Sequence, residues 1–523
     1  MTLERSKKLY YFLLPILLAF IVFSFFRSIN VISHIYDSMH HGLIFSNGVD
    51  FLEGKKPYKE IFIQYGLLGT VLNSIFIYIS NFNIVSIYYA TSSFYFLSII
   101  ILSLTTKSLS NYFYMFLTCI VFLFNHPMPH FPWPNYLAFF FLTLGVYFFS
   151  TDDYKKLFLS GFCLSCSFLI RENFYYFIIP SFLIINFLLF IFYRDLKKIY
   201  FLTSGFLLPI IIFLIYLISN DLFQDWLLYQ TLPFEYLKSH ENSFFYLLKE
   251  FILFFSTQVI FNIVNNPQYI IILIIFLFNI FVLFEEIFFN EDKNLKVILI
   301  CIICLSSSIV SINYEIFRLY TSVIIGLPIL FYRIYKANNS QNNFIVCFIL
   351  LFISIYSFIY FPKGNVKFFQ KIDFTNSYTS KEFQYFRSQK WPKEKWNNLT
   401  MINKIDSLVK NNCKIEYVAN FTPDIFFYLI SDLKKIQVFP LIVNNMKNFE
   451  TFVQKNLYIQ IGAEMKKNNI YIFSMENNIS KVKKNLKTYV EIYSLEVKDM
   501  KGTSMRIWVP KKCYQKLQLN NLI

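Results

Sequence analysis

The chain has 523 residues, of which 56% are hydrophobic, 21% are aromatic and only 15% are charged. Soluble domains carry about 25% charged residues, so this composition excludes an ordinary globular enzyme and indicates many membrane helices. The formal charge of +16 is uneven, because residues 362–523 hold 27 Lys and Arg against 13 Asp and Glu. We therefore expect a nearly neutral membrane domain over 1–361 and a basic soluble domain over 362–523. Such a charge suits membrane lipids with anionic head groups, and no nucleic-acid partner is expected for a tethered domain.

The first apolar run, 9–26, follows the basic start "MTLERSKK" and has no small-residue cleavage site. It predicts a retained membrane helix that begins in the cytoplasm. A span requires about 20 apolar residues. Twelve further candidate runs, some of them short, are 62–80, 83–104, 112–126, 133–150, 157–170, 174–193, 199–219, 249–266, 268–288, 296–312, 315–332 and 343–361. The prediction is a polytopic α-helical membrane protein with about 11–13 transmembrane helices.

Three basic loops, at 152–156, 193–198 and 332–339, are predicted to face the cytoplasm. With the N-terminus also inside, two candidate runs must fail to span, and we expect these to be 62–80 and 249–266. Both contain polar or glycine interruptions. The first loop, 27–61, and the C-terminal domain then lie on the extracytoplasmic (periplasmic) side of the inner or plasma membrane.

The C-terminal domain has the pattern of a mixed α/β fold. Strand-like stretches are "CKIEYVA", "KIQVFPLIV", "NNIYIFSM" and "MRIWVP", and the first two flank the helical stretch "PDIFFYLISDL". Six of the eight cysteines lie in apolar runs and are expected to pack there. Cys413 and Cys513 could pair if the domain is extracytoplasmic, but the sequence leaves this open.

The first loop concentrates the polar chemistry of the membrane domain, in "HIYDSMHHGLIFSNGVDFLEGKKPYKEIFIQYG" (34–66). Asp37 follows the first span by about ten residues, and a carboxylate near the bilayer is costly unless it is solvated or used. A solvated loop acid is the alternative interpretation. Transfer from a lipid phosphate to a hydroxyl acceptor requires a base, for which Asp37 is the candidate. It also requires cations to stabilise the phosphate leaving group, and Lys55 and Lys59 supply these.

The spacing of Asp37, then "G-x-x-P-Y-K-E" (54–60), then "Y-G-x-L" (65–68), resembles the first loop of the GT-C glycosyltransferases. The likeness is to the lipid A aminoarabinose transferase and protein mannosyltransferase type, and it covers 1–219, with the later spans fitting by layout. The loop departs from the family in having one acid rather than an obvious acidic pair, and Leu67 where proline usually follows Tyr-Gly.

The resemblance implies a GT-C-like fold and an inverting transferase that moves a sugar from a polyprenyl-phosphate carrier to a lipid, glycan or protein acceptor. Asp37 would be the catalytic base. Cations for the donor phosphate would be Arg171, Arg318, Lys55 and Lys59. Substrate-binding candidates are Tyr58, Glu60, Tyr65, His40, His41, Asn135 and Tyr320. For Arg171 the alternative is a snorkelling side chain neutralised by Glu172, and Trp133 is interpreted as a membrane-interface anchor.

No cofactor is certain from the sequence. A divalent metal ion, Mg²⁺ or Mn²⁺, is a candidate, with Asp37, His40 or His41 as ligands, but no spacing demands it. Two other functions stay open. An O-antigen-type polymerase or ligase would concentrate its chemistry in a late loop and leave Asp37 dispensable. A transporter or flippase for lipid-linked sugars would carry charges within spans and show internal repeats, neither of which is prominent here.

Overall fold

The structure is a computed structural model. It describes residues 3–126, 128–129, 131–151, 153–230, 249, 251–260, 268–291, 293–310, 316–337, 340–359, 377–422, 424–437, 452–475, 485–496 and 504–520. Helices make up the described part of the chain as far as residue 359, and a sheet region begins at residue 377. The predicted domain boundary between 361 and 362 and most of the loop 220–247 lie outside the described residues.

The helices of the first part are largely apolar. In chain order they are α1 (Leu3–Ile32), α2 (His40–Leu52), α3 (Leu67–Ile79), α4 (Val85–Leu109), α5 (Tyr112–Asn125), α6 (Pro134–Phe149), α7 (Tyr154–Ile170), α8 (Tyr175–Leu188), α9 (Leu196–Ser219), α10 (Gln268–Phe288), α11 (Leu295–Val310), α12 (Ile316–Val323), α13 (Leu327–Lys336) and α14 (Ser340–Ile359). Five described helices are long and apolar enough to cross a membrane, and several shorter apolar helices accompany them. The predicted polytopic helical architecture is confirmed.

The length of α3 bears on the predicted topology. This helix has 13 residues, which corresponds to roughly 20 Å of helix against a hydrocarbon core of about 30 Å. Helix α5, in a run predicted to span, has only 14 residues, so helix length does not separate the two cases and the topology stays a prediction. The other run expected not to span, 249–266, lies partly outside the described residues.

Burial separates central from peripheral helices. In α4, 61% of the most apolar window is buried, whereas the corresponding fraction in α9 is 28%. The exposed positions of α9 are apolar, as at Ile211, Ile215 and Ile218. In water such a surface would be unfavourable, so these positions are suited to contact lipid. Helix α4 is instead enclosed by its neighbours and packs mainly against α6 and α5.

The C-terminal part is a mixed α/β domain, as predicted. Its strands are β1 (Ser377–Tyr378), β2 (Trp391–Pro392), β3 (Tyr417–Phe421), β4 (Lys434–Gln437), β5 (Ile470–Met475), β6 (Tyr489–Glu496) and β7 (Ser504–Pro510), and its helices are α15 (Lys393–Cys413), α16 (Ile425–Ile430), α17 (Phe452–Lys467) and α18 (Lys511–Leu519). Five strands form one sheet in the order β4-β3-β5-β7-β6. Strands β4, β3 and β5 are parallel, and β7 is antiparallel to both of its neighbours.

The predicted strands correspond to β3, β4, β5 and β7, and the predicted helix between the first two corresponds to α16. Sequence reasoning missed strands β1, β2 and β6 and helices α15, α17 and α18. A disulfide joins Cys413, at the end of α15, to Cys513 in α18, with their Cα atoms 5.2 Å apart. The other six cysteines are free and buried, in agreement with the expectation that they pack within apolar helices.

Candidate active site

Asp37 lies in the connection between α1 and α2, where it caps the start of α2. Its Oδ1 accepts a hydrogen bond from the backbone N–H of His40 at 2.8 Å, and its Oδ2 lies 2.8 Å from His40 Nδ1. Burial alone would raise the pKa of Asp37, but the hydrogen bonds and charges of His40 and His41 outweigh it and hold that pKa below its ordinary value. Because a carboxylate has about four lone-pair positions, Asp37 retains capacity to accept a substrate hydroxyl.

Aromatic rings connect His40 to two arginines. The His40 ring lies 4.8 Å from the ring of Trp133, and Trp133 lies 5.9 Å from Tyr65, measured between ring centroids. The guanidinium carbon of Arg318 is 5.1 Å from the centre of the Trp133 ring. That of Arg171 is 4.5 Å from the centre of the Tyr65 ring. Both distances are within the range of a cation–π contact.

The acid and the two arginines therefore face one region. Burial is the main cause that raises the pKa of Tyr65, and the charges of Arg171, Arg318 and Asp37 all reach its hydroxyl. Burial also lowers the pKa of Arg171 to about 10, so this guanidinium stays charged at neutral pH. We call Asp37, His40, Tyr65, Trp133, Arg171 and Arg318 the acid–arginine cluster.

Gly66 explains how Tyr65 comes to lie beside Arg171. Its N–H donates to the carbonyl oxygen of Ile170 at 3.0 Å, directly before Arg171. A Cβ atom on Gly66 would meet the carbonyl oxygen of Leu169 at 1.9 Å. Only glycine permits this approach of two backbones. The Tyr-Gly pair of the first loop is thus needed for the contact between this loop and the end of α7.

Glu172 directly follows Arg171, and each of the two groups shifts the pKa of the other. Burial and then the charge of Glu172 raise the pKa of Tyr58, and Tyr58, Glu172 and Gln230 line one cavity. Within the described residues no ion pair within 4.0 Å joins Glu172 to Arg171. Burial is the largest cause that raises the pKa of Glu172, to about 8, so the carboxyl group is mostly uncharged at pH 7. The positive charge of Arg171 is therefore available to an anionic ligand.

A cavity of about 360 Å³ extends from Glu172 between the apolar faces of α7, α8 and α9. Tyr58, Glu172 and Gln230 contribute its polar groups, and its other lining residues are apolar or aromatic, including Phe168, Ile210 and Trp226. Tyr58 itself is fully buried in a left-handed backbone conformation, φ 63°, and its ring packs 5.3 Å from that of Tyr229. The cavity is suited to an apolar chain with a small polar group at one end.

The remaining predicted site residues lie in other places. The ammonium group of Lys55 pairs with the carboxylates of Asp50 and Glu53. Lys59 and Glu60 are exposed, and Glu60 accepts the N–H of Lys56 at 2.7 Å. These three residues are not brought into the acid–arginine cluster by any described contact.

The other three are buried in the helical part. His41 Nδ1 lies 2.8 Å from the hydroxyl of Tyr88. The Tyr320 hydroxyl donates to the carbonyl oxygen of Phe122 at 3.0 Å, which is a structural contact. Asn135 is 8% exposed at the start of α6, two residues after Trp133. Roles for these residues in substrate binding stay predictions.

Trp133 is the member of the acid–arginine cluster that the sequence analysis does not place in the site. It was expected at the membrane interface, but it is only 8% exposed and contacts His40, Tyr65 and Arg318. Its position follows from the proline-rich segment before α6, because Pro134 starts the helix and Trp133 is its extended N-cap residue. The signal in the sequence is the stretch "FPWPNY", in which Asn135, two residues after Trp133, is a substrate-binding candidate.

The residues at Asp37 do not form a metal site of the usual kind. In the part of the chain that the structure describes, no three His, Cys, Asp or Glu side chains are grouped so as to hold a metal ion. Asp37 and His40 instead bond to each other, and His41 bonds to Tyr88. The candidate Mg²⁺ or Mn²⁺ ion therefore has too few ligands among these residues.

Comparison with known proteins agrees with this architecture. The structure is similar to that of ArnT from Cupriavidus metallidurans bound to undecaprenyl phosphate, with a TM-score of 0.51 at 10% sequence identity. The similarity covers 94% of this chain and 97% of that chain. The chain has the GT-C fold. The fold that the first-loop resemblance implied is thus confirmed.

Two structures of the Archaeoglobus fulgidus oligosaccharyltransferase are also similar. The complex with Zn and sulfate has a TM-score of 0.48 at 10% identity, covering 95% of this chain and 76% of that chain. The AglB complex with an inhibitory peptide and a dolichol-phosphate has a TM-score of 0.45 at 11% identity, covering 96% and 77%. No family model matches the chain, and no curated protein matches it.

Proposed function

We propose that this protein is an integral-membrane glycosyltransferase that transfers a sugar from a polyprenyl phosphate to a hydroxyl-bearing acceptor. The observation that carries the proposal is the acid–arginine cluster, in which Asp37 and two arginines face one region through His40, Trp133 and Tyr65. A base and two cations around one space are the groups that displacement of a phosphate from a sugar requires.

Asp37 acts as the base in this proposal. Its carboxylate takes the proton of the acceptor hydroxyl while the acceptor oxygen forms a bond to the anomeric carbon. The bond between that carbon and the phosphate oxygen breaks, and the phosphate leaves with the electron pair. A single displacement of this kind inverts the anomeric configuration. The lowered pKa of Asp37 keeps the carboxylate ionised throughout the neutral range.

Arg171 and Arg318 stabilise the departing phosphate. A guanidinium can donate two parallel hydrogen bonds to phosphate oxygens, and such charge-assisted bonds are stronger than neutral ones. Both guanidinium groups lie against aromatic rings, Arg171 on Tyr65 and Arg318 on Trp133. The uncharged state of Glu172 at pH 7 leaves Arg171 free to attract the phosphate.

Two observations support a lipid carrier as the donor. The cavity beside Glu172 is lined mainly by apolar side chains and adjoins Arg171 along the chain, as a phosphate followed by an isoprenoid chain would require. The similar ArnT structure contains undecaprenyl phosphate. We propose a polyprenyl-phosphate-linked sugar, and the acceptor is a lipid, glycan or protein.

We further propose that the first loop and the soluble domain lie outside the cytoplasm. The Cys413–Cys513 disulfide supports this, since disulfides persist in oxidising compartments. The hydroxyl of Tyr36, beside Asp37, donates to Asp424 of the soluble domain at 2.9 Å, which supports placing both on the same side. Protease accessibility of the soluble domain in intact spheroplasts would test the orientation.

The experiment that tests the function compares Asp37→Asn with the wild-type protein in a deletion strain, at matched membrane expression. Mass spectrometry of the host's surface lipids and glycans measures the product. We expect one sugar-bearing product to disappear with the substitution, and the missing mass identifies the sugar. Full restoration of the product by Asp37→Asn would refute the base assignment and favour an O-antigen-type polymerase or a flippase.

A further inference from the structure

The segment of residues 33–38, which carries Asp37, is held mainly by the soluble domain. The backbone N–H of Lys390 donates to the carbonyl oxygen of Ser33 at 3.1 Å. The indole N–H of Trp391 donates to the carbonyl oxygen of Ile35 at 3.2 Å. Two backbone carbonyls of this short connection are therefore satisfied by groups more than 350 residues away in sequence.

The side chain of Tyr36 enters a socket in the same domain. Its ring lies 4.9 Å from that of Trp391 and 5.2 Å from that of Phe426, both nearly perpendicular to it. The ammonium group of Lys395 is 4.8 Å from the centre of the Tyr36 ring. Trp391 and Phe426 are themselves fully buried, so the socket is part of the core of the soluble domain.

Asp424 lies at the base of this socket, and both of its carboxylate oxygens accept hydrogen bonds. Its Oδ1 caps helix α16 by accepting the N–H of Phe426 at 3.1 Å, and its Oδ2 accepts the Tyr36 hydroxyl at 2.9 Å. Tyr36 directly precedes Asp37, so this carboxylate holds a chain neighbour of the proposed base.

The fit of α2 against the soluble domain is close at the same place. A Cβ atom on Gly42, in the first turns of α2, would meet Cβ of Ile425 at 2.9 Å. Helix α2 begins with the turn that Asp37 caps. The start of α2 is therefore seated on α16, next to Asp424.

We propose that the soluble domain is a working part of the active site, in which Asp424 and the Tyr36 socket act as positioning groups that orient Asp37 within the acid–arginine cluster. This rests on the proposed function of Asp37 as the base. It differs from a role of the domain in docking a substrate, which would be exerted on substrate affinity. A positioning role predicts a loss in kcat with little change in KM, because a small misplacement of a catalytic group slows the chemical step.

The chain offers a matched pair of variants for the test. Tyr36→Phe removes a hydroxyl that donates to Asp424. Tyr428→Phe removes a hydroxyl of the soluble domain that donates to Asp50 of α2 at 3.2 Å. Both substitutions delete one tyrosine hydroxyl bound to a carboxylate between the soluble domain and the first loop, but only the first adjoins Asp37.

The measurements are kcat and KM for transfer, and hydrogen exchange of the backbone amides of 33–41, in the full-length purified protein. With Tyr36→Phe we expect kcat to fall roughly tenfold, in line with loss of a hydrogen bond to a charged group, with KM unchanged. We expect faster exchange over 33–41. Tyr428→Phe should match the wild-type protein in kcat and in the exchange of 33–41. Asp424→Ala should give the larger effect, because it removes the bond from the Tyr36 hydroxyl and the bond from the N–H of Phe426.

Equal responses of Tyr36→Phe and Tyr428→Phe would overturn the proposal, since they would indicate general loosening between the domains or no effect at all. A fall in kcat without faster exchange over 33–41 would also overturn it. The exchange measurement requires no substrate, so it decides the inference even if Asp37→Asn proves fully active. Full activity of Asp37→Asn would refute the proposed function. Hydrogen exchange would then still show whether the soluble domain orders residues 33–38.

Discussion

Gly66→Ala is the perturbation whose effect can be worked most directly from the structure. Gly66 has φ −65° and ψ 147°, which alanine adopts without strain, so the effect is steric. The added Cβ would lie 1.9 Å from the carbonyl oxygen of Leu169 and 2.8 Å from the carbonyl carbon of Ile170. Ordinary contact begins at 3.4 Å, so the first loop and the end of α7 must separate by about 1.5 Å.

This separation would move Tyr65 away from Arg171, since the two residues directly adjoin the clashing backbones. A misplacement of about 1 Å in a catalytic arrangement can lower the rate about 100-fold, so we expect a loss of that order in kcat. Gly69→Ala is the matched control. Its Cβ would lie 3.3 Å from the carbonyl oxygen of Ile170, which requires a shift of only a few tenths of an ångström.

The assay is sugar transfer in detergent-purified protein, with size-exclusion chromatography to show that each variant is monodisperse. We expect Gly69→Ala to retain most of the wild-type kcat and Gly66→Ala to lose most of it while remaining folded. Wild-type kcat in folded Gly66→Ala would refute the argument that contact between the first loop and α7 positions the cluster. Equal losses in both variants would also refute it.

Three further predictions concern charge, ring and disulfide. Burial raises the pKa of Glu172 to about 8, so above pH 8 its negative charge should weaken donor binding at Arg171 and raise the wild-type KM for the donor. The KM of Glu172→Gln should not change over this pH range, and an equal rise of KM in both proteins would contradict the prediction. Trp133→Phe should raise the KM for the donor about threefold to tenfold by weakening the stack under Arg318, and Trp133→Leu should raise it further; equal KM values in all three proteins would count against the stack. Replacing both Cys413 and Cys513 by serine opens a loop of 100 residues and should cost the soluble domain about 3–5 kcal/mol of stability in chemical denaturation, whereas unchanged stability would show that the bond contributes nothing.

Composition and local pattern determined the class of protein and much of its layout. Apolar runs long enough to cross a bilayer form helices there, because lipid does not tolerate unpaired backbone N–H and C=O groups and a helix pairs them within the segment. Alternating β-branched and aromatic residues likewise predicted four of the five strands of the main sheet. Strand β6 was not predicted, because in its stretch "YVEIYSLE" acidic residues interrupt the alternation of β-branched and aromatic residues. The chemistry of the first loop, and Asp37 in particular, was also readable from the sequence.

The arrangement of the site was decided by tertiary contacts. Trp133 looks like an interface residue in sequence, and only the tertiary structure shows its ring in contact with both His40 and Arg318. Lys55 looks like a phosphate ligand, but Asp50, five residues earlier, lies close enough to pair with it. The hold of Asp424 on Tyr36 joins residues 388 positions apart. Sequence periodicity reports what a residue's own helix or strand requires, whereas the partner across a fold depends on how separate elements pack.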